Sequence, residues 1–268
     1  MLIEILCTGD EILTGKTVNT NYSHMARRFG EVGLTMHWST VVGDDRSCLA
    51  SAFQQASQRA DAVIVNGGLG PTVDDLSQEV AAEAAGVGLI LDENWLSRML
   101  DFYERRGRTM PPNNKKQAML PEGAEFIDNP IGTACGFAIN IGSARFFFTP
   151  GVPREMRKMI DEQVIPRLLK MSGLKVVNRL KRFHSFGIGE SRADQLLSDV
   201  EALAADGSLK LGFQAHYPQL ETKLSAQAAT DEELDTKLAP AIEMIRKRLG
   251  TFIISEDDQT LEQVVIDS

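Results

Sequence analysis

Three pairs of acidic residues each close an apolar run within the first 75 residues: Asp10-Glu11, Asp44-Asp45 and Asp74-Asp75. The third pair ends the densest motif of the chain, VIVNGGLGPTVDD over residues 63–75. There the β-branched residues Val63, Ile64 and Val65 stop at Asn66, and Gly67, Gly68 and Gly70 follow, then Pro71 and Thr72. Glycine lets backbone N–H groups close on a ligand with no Cβ in the way. A helix beginning near Leu76 adds free N–H donors and a partial positive charge, which suit phosphate. Two carboxylates at the same place suit a divalent cation bridging to that phosphate. The stretch predicts a phosphorylated ligand held with a metal. The plainer alternative is a tight strand-to-helix turn whose acids favour the helix dipole. No Gly-Lys-Ser/Thr follows, so this is not a P-loop, and Pro71 and the glycine spacing differ from the dinucleotide fingerprint.

For the acids to act together, the chain must bring three loops to one place. Residues 2–8 read as a strand, and a helix capped by Asn19 or Thr20 runs to about Glu31. A strand over 34–42, a helix over 47–60, the strand at 63–65 and a helix over 76–85 follow. Strand and helix alternating three times predict an α/β fold with a mostly parallel sheet and right-handed crossovers. In such sheets ligands sit beyond the carboxyl ends of the strands. Glu11, Asp44 and Asp75 therefore gather on one sheet edge, as candidates for metal binding and catalysis. Asp44 as a turn residue capping the next helix stays open beside that reading.

Other segments offer partners for such a site. Asn21 lies at the start of the first helix. Gly132 and Thr133 sit in one small-residue loop, and Gly151 and Val152 in another that leads into a helix begun by Pro153. Lys116 and Gln117 can reach a phosphate, although a solvated lysine pair is the commoner explanation of Lys115-Lys116. Arg105, Arg106 and Arg108 form a basic cluster with the same double reading. His24, His37, His184 and His216 have no metal-ligand spacing. Cys135 reads as a small buried residue rather than a nucleophile. Pro166 is expected to kink or break the helix that Pro153 starts.

A boundary is expected near Ser172 and Gly173. The first domain then spans 1–171, and a small α+β domain spans 172–255, with strand 175–186, helix 191–203, strands 208–216 and 220–226, helix 231–249 and strand 251–254. LEQVVIDS reads as the start of an uncapped helix, so residues 256–268 imply a linker or a further domain. The formal charge is −9, from 28 Lys and Arg against 37 Asp and Glu. This balance argues against nucleic acid as a partner. Three scattered cysteines and no basic-then-apolar leader favour a reducing cytoplasm. No apolar run approaches the ~20 residues of a membrane helix.

Taken together, the segments TGDEIL (8–13), VGDD (42–45), RADAVIVNGGLGPTVDD (59–75), RRGRTM (105–110), NKKQA (114–118), GTACGF (132–137), PGVPREM (150–156) and GIGES (187–191) resemble the CinA, or competence/damage-inducible protein, family. The resemblance implies a molybdopterin-binding-like three-layer α/β sandwich followed by a KH-like α+β domain, with the family's third, often deamidase, domain missing. It also implies metal-dependent hydrolysis of ADP-ribose to AMP and ribose 5-phosphate, with Mg²⁺, Mn²⁺ or Co²⁺ and with K⁺, in a homodimer. On that reading Gly67, Gly68, Gly70, Thr72, Asn21, Lys116, Gln117, Gly132, Thr133, Gly151 and Val152 bind a nucleotide-type substrate. Glu11, Asp44 and Asp75 then do the metal chemistry, and Asp74 caps the helix. A pterin-phosphate adenylyl transferase, or a nucleotide-binding scaffold without turnover, is the alternative.

Overall fold

The computed structural model describes residues 1–174, 177–256 and 266. The chain divides into two compact units, Met1–Gly30 with Leu34–Gly173, and Glu31–Gly33 with the chain from Leu174 onward.

In the first unit the elements run β1 (Ile3–Thr8), α1 (Asp10–Leu13), α2 (Thr20–Glu31), β2 (Met36–Val42), α3 (Arg46–Arg59), β3 (Ala62–Asn66), α4 (Ser77–Ala85), β4 (Leu89–Leu91), α5 (Glu93–Glu104), a 3-10 segment (Pro112–Ala118), β5 (Met119–Pro121), β6 (Glu125–Ile127), β7 (Gly136–Ile141), β8 (Ala144–Thr149), α6 (Pro153–Met159) and α7 (Ile165–Ser172). The main sheet has the order β2-β1-β3-β8-β7-β6. β2, β1, β3 and β8 are mutually parallel; at one side β7 pairs antiparallel with β8, and β6 antiparallel with β7. β4 and β5 pair separately.

The expected mixed α/β, mostly parallel architecture is present. The antiparallel side was not legible as such. The glycine-rich entry to β7 looks like one long loop, and only pairing across the Gly142 turn reveals a hairpin. Alternation along the central strands divides the interior. Leu6, Val63, Val65, Phe146 and Phe148 pack with Phe53 of α3, Val80 of α4 and Phe137 of β7 in one buried cluster. Phe137 stacks on Phe148 with ring centroids 4.3 Å apart. Ile5, Ile64 and Phe147 are equally buried yet lie outside that cluster, as the period of two requires.

Pro166 sits in the first turn of α7, and the α-helical run that Pro153 starts is interrupted just before it. It cannot donate an N–H to the carbonyl of Glu162, and the chain absorbs this in a π-helical turn over Ile160–Val164, between α6 and α7.

The second unit contains β9 (Val177–Phe186), α8 (Glu190–Leu197), a 3-10 turn (Glu201–Leu203), β10 (Leu209–His216), β11 (Gln219–Ala228), α9 (Asp231–Leu249) and β12 (Ile253–Glu256). Its antiparallel sheet has the order β10-β11-β9-β12. Phe183, Leu224, Leu238, Ala241 and Ile245 form its core. The last turn of the helix expected over 191–203 becomes the 3-10 segment. Residues 175–176 of the expected first strand and nearly all of 256–268 lie outside the described residues.

Candidate functional site

A cavity of 570 Å³ opens at the carboxyl ends of β1, β3 and β8. From β1 and α1 it takes Thr8, Gly9 and Glu11; from the end of β2, Asp44; and from the loop after β3, Gly67, Gly68, Gly70, Asp74 and Asp75. Gln117, Thr133, Gly151, Val152 and Glu155 close the other side. The convergence expected of the acidic loops is therefore present around one cavity. Two positions show why the loop is glycine. Gly68 has φ +68°, and a Cβ there would strike the side chain of Ser77. Gly70 lies against the Asp75 carboxylate, with no room for a methyl group.

Buried amides hold the loops in place. Asn66 is 1% exposed; its Nδ2 donates to Thr149 Oγ1 at 3.2 Å and to the Pro150 carbonyl at 2.7 Å. Asn21 Nδ2 donates to Asn66 Oδ1 at 2.9 Å and to the Gly151 carbonyl at 2.7 Å. Gln117 Nε2 donates to the Leu69 carbonyl at 3.1 Å and its Oε1 accepts from Thr133 Oγ1 at 3.1 Å. Ser77 Oγ donates to the Gly67 carbonyl at 2.9 Å. The floor contains one unsatisfied group: Thr8 Oγ1 is buried without a hydrogen-bond partner, beside Gly67.

The acids separate by environment. The Asp10 N–H donates to Asp44 Oδ2 at 3.1 Å, and the Asp44 N–H returns a bond to Asp10 Oδ1 at 3.3 Å. Burial raises the Asp44 carboxyl above its ordinary range, the Asp10 N–H opposes this, and the nearby charges of Asp10, Glu11 and Asp74 reinforce it. The α3 cap is Asp45, which accepts from the Cys48 N–H at 2.9 Å. Asp75 turns back on its own loop, accepting from the Thr72 N–H at 2.9 Å and from the Thr72 hydroxyl. The helix-capping role expected of Asp74 is corrected. Leu76 stands at the α4 N-cap without a side-chain bond. A hydrogen bond from the Thr72 side chain holds the Asp74 carboxyl below its usual range.

Asn21, Thr72, Lys116 and Gly132 do not line the cavity. Asn21 supports it from behind, and Thr72 is occupied with Asp75. Lys116 pairs with Glu79 at 3.3 Å and donates to the Thr72 carbonyl at 3.2 Å. Gly132 lines a neighbouring cavity. Tyr103 and Glu155 line the site without having been singled out, beside Thr8 and Asn114 from the motifs TGDEIL and NKKQA. The Asn114 of NKKQA was one visible signal: its Nδ2 donates to Tyr103 Oη at 2.7 Å. Cys135 is fully buried, and burial pushes its thiol far up, which suits a packing residue and not a nucleophile.

Among the described residues no three His, Cys, Asp or Glu side chains are grouped so as to hold a metal ion. Glu11, Asp44 and Asp75 thus do not form a ready-made cage. All three line the same cavity.

A mostly parallel sheet with helices between its strands and the glycine loop at its carboxyl edge is the architecture of the molybdopterin-binding-like class. The profile described as "Probable molybdopterin binding domain" matches residues 4–170, and "Damage-inducible protein CinA KH domain" matches residues 180–255. The chain belongs to the CinA family. A protein named nicotinamide-nucleotide amidohydrolase PncC from Shewanella oneidensis is 39% identical over 99% of this chain and 61% of its own length. A CinA-like protein from Escherichia coli (strain SMS-3-5) is 42% identical over 87% of this chain and 58% of its own. The crystal structure of a Thermoplasma acidophilum CinA protein, of unknown function, covers 65% of this chain and 98% of its own, with 32% identity and a TM-score of 0.55. The chain thus spans about 61% of the length of the Shewanella relative. These names overturn the expectation of ADP-ribose pyrophosphatase activity. They point to a molybdopterin-binding-type module and, in the Shewanella protein, an amidohydrolase. Among the described residues no helix is long and apolar enough to cross a membrane.

Proposed function

We propose that the first unit binds a phosphorylated heterocycle of the pterin or nucleotide type, with its phosphate against the backbone of Gly67–Gly70. The observation that carries this reading is the Thr8 hydroxyl, buried and unpartnered at the floor of the glycine-lined cavity. Leaving such a group unpaired costs about 1–3 kcal/mol. A phosphate oxygen accepting from it would recover that cost. The family description supports a pterin, and the Shewanella relative's name supports a nucleotide.

No Lys or Arg lines this cavity, whereas Glu11, Asp44, Asp74, Asp75 and Glu155 do. A divalent cation entering with the ligand would neutralise phosphate charge among those carboxylates. Glu11, Asp44 and Asp75 are the residues to hold it, with Mg²⁺ or Mn²⁺ preferred for oxygen donors, and Co²⁺ and K⁺ as further candidates. At this pocket we favour binding without turnover, a reading that the molybdopterin-binding description of the matched profile supports. An amidohydrolase-class activity of the whole protein is the enzymatic reading that the Shewanella name supports. It is tested by ammonia release from a nicotinamide nucleotide.

Calorimetry with molybdopterin, AMP, ATP and a nicotinamide nucleotide, with and without Mg²⁺, tests the binding. At least one ligand is expected to bind in the micromolar range with Mg²⁺, and G68V to abolish it. No binding by any ligand, or wild-type binding by G68V, would overturn the reading.

A further inference from the structure

A second cavity, of 410 Å³, shares the Asn129–Ala134 loop with the glycine pocket. Gly132 lines this second space, while Thr133 and Ala134 line the first. Its charge is unexpected on a chain of net −9. Arg98, Arg105 and Arg106 enter from α5 and the turn after it, and Arg154 from the start of α6, against the single acid Asp101.

The four guanidinium groups are not equivalent. Arg98 is already matched, donating to Asp128 at 2.7 Å, and it lies over the Trp95 ring at 4.5 Å. Arg106 is held over the Phe102 ring at 3.4 Å and donates to the Phe102 carbonyl at 3.1 Å, which orients its plane without cancelling its charge. Arg105 and Arg154 are paired with no carboxylate among the described residues, although 37 acids are available in the chain. Like charges placed together repel. The arrangement is stabilised when an anion lies between them. Guanidinium forks match phosphate oxygens in pairs, and the volume falls within the roughly 300–1,000 Å³ typical of small-molecule sites.

We infer that this cleft is a second anion site, which binds the phosphate group of a small phosphorylated metabolite between Arg105, Arg106 and Arg154 without a metal. Arg98 and Trp95 form its fixed wall. The site does not depend on the glycine pocket being occupied. A nucleic-acid phosphate is a weaker match, because the rest of the chain is acidic and would repel a polymer.

Trp95 gives a direct readout, since Trp38 is the only other tryptophan and W38F leaves Trp95 as sole emitter. The full chain carrying W38F is titrated with inorganic pyrophosphate and with AMP in the presence of a chelator. A saturable change in Trp95 emission is expected below about 1 mM. R105Q combined with R154Q, both exposed positions, is expected to weaken it at least tenfold. G68V, at the glycine pocket, is expected to leave it within twofold. No saturable change, an unchanged response in the double arginine variant, or loss of the response in G68V would each overturn the proposal. Tighter response to a single-stranded RNA oligomer at equal phosphate concentration would also overturn it. Failure of the glycine-pocket reading appears separately, in calorimetry of the Mg²⁺-dependent ligands.

Discussion

The two cavities of the first unit share one loop and carry opposite charge. Five carboxylates and no cationic side chain line the glycine pocket, whereas four arginines and one aspartate line the cleft beside it. Both can meet phosphate, by different physics. The glycine pocket offers backbone N–H groups and the Thr8 hydroxyl, and it tolerates the anion only if something offsets its carboxylates. The cleft offers guanidinium groups, those of Arg98 and Arg106 held over aromatic rings, and needs no cation. The comparison teaches that glycine and acid together imply a ligand bringing its own counter-charge, while arginine alone implies a bare anion.

Removing divalent cations should separate the two most. A phosphate charge about 4 Å from one carboxylate is repelled by roughly 4 kcal/mol at an effective dielectric of ~20. That exceeds the ~2.7 kcal/mol of a 100-fold change in affinity. A chelator is therefore expected to weaken calorimetric binding at the glycine pocket by 100-fold or more, and the Trp95-reported binding of the cleft by less than twofold. Equal sensitivity of both would dissolve the contrast.

The next largest effect is expected at Asn66, which supports the glycine pocket and not the cleft. N66A deletes two donated bonds and leaves the Pro150 carbonyl and Asn21 amide underused in a buried setting. A cost of about 2–3 kcal/mol follows. For a unit of this size it lowers Tm by about 5–10 °C. Below the transition the Trp95 response should persist while Mg²⁺-dependent binding weakens. A calorimetric scan that found N66A as stable as the parent would remove the amide network from the account of the pocket.

Much of this contrast was legible locally, and part was not. The acids of the first cavity each close an apolar run, so strand-to-loop order alone brought Glu11, Asp44 and Asp75 to one edge. Asn66 ends such a run as well, yet nothing in its neighbours says that its amide reaches residues 149 and 150, because that contact depends on β8 lying beside β3. Asp74 and Asp75 could not be told apart by position. What separates them is the Thr72 backbone N–H, which Asp75 accepts by turning back on its own loop. The cleft was half visible, as the Arg105-Arg106 cluster, but Arg154 lies 48 residues further on and joins it only through the fold. Sequence shows which residues follow strands; it does not show which loops, distant along the chain, share a wall.

The smallest expected effect concerns pH, and it is confined to the acidic cavity. In the folded protein Asp44 holds its proton more tightly than in the unfolded chain, because burial and the neighbouring Asp10, Glu11 and Asp74 disfavour its charge. With the native value above the unfolded value of about 3.9, the native state binds more protons in the window between them. Stability is therefore lost as pH rises through that window, and the ionised group remains a small liability at pH 7. D44N keeps an oxygen to accept from the Asp10 N–H and removes the charge. Solvent screens this half-buried site, so the expected gain is modest, about 1–3 °C in Tm at pH 7. The gain should vanish below about pH 3, where Asp44 is protonated in both states. An R154Q control should show no such pH-dependent difference, because guanidinium does not titrate in this range. A D44N variant less stable than the parent at pH 7 would mean that the Asp44 charge is already balanced, and the glycine pocket would then be less anionic than its lining implies.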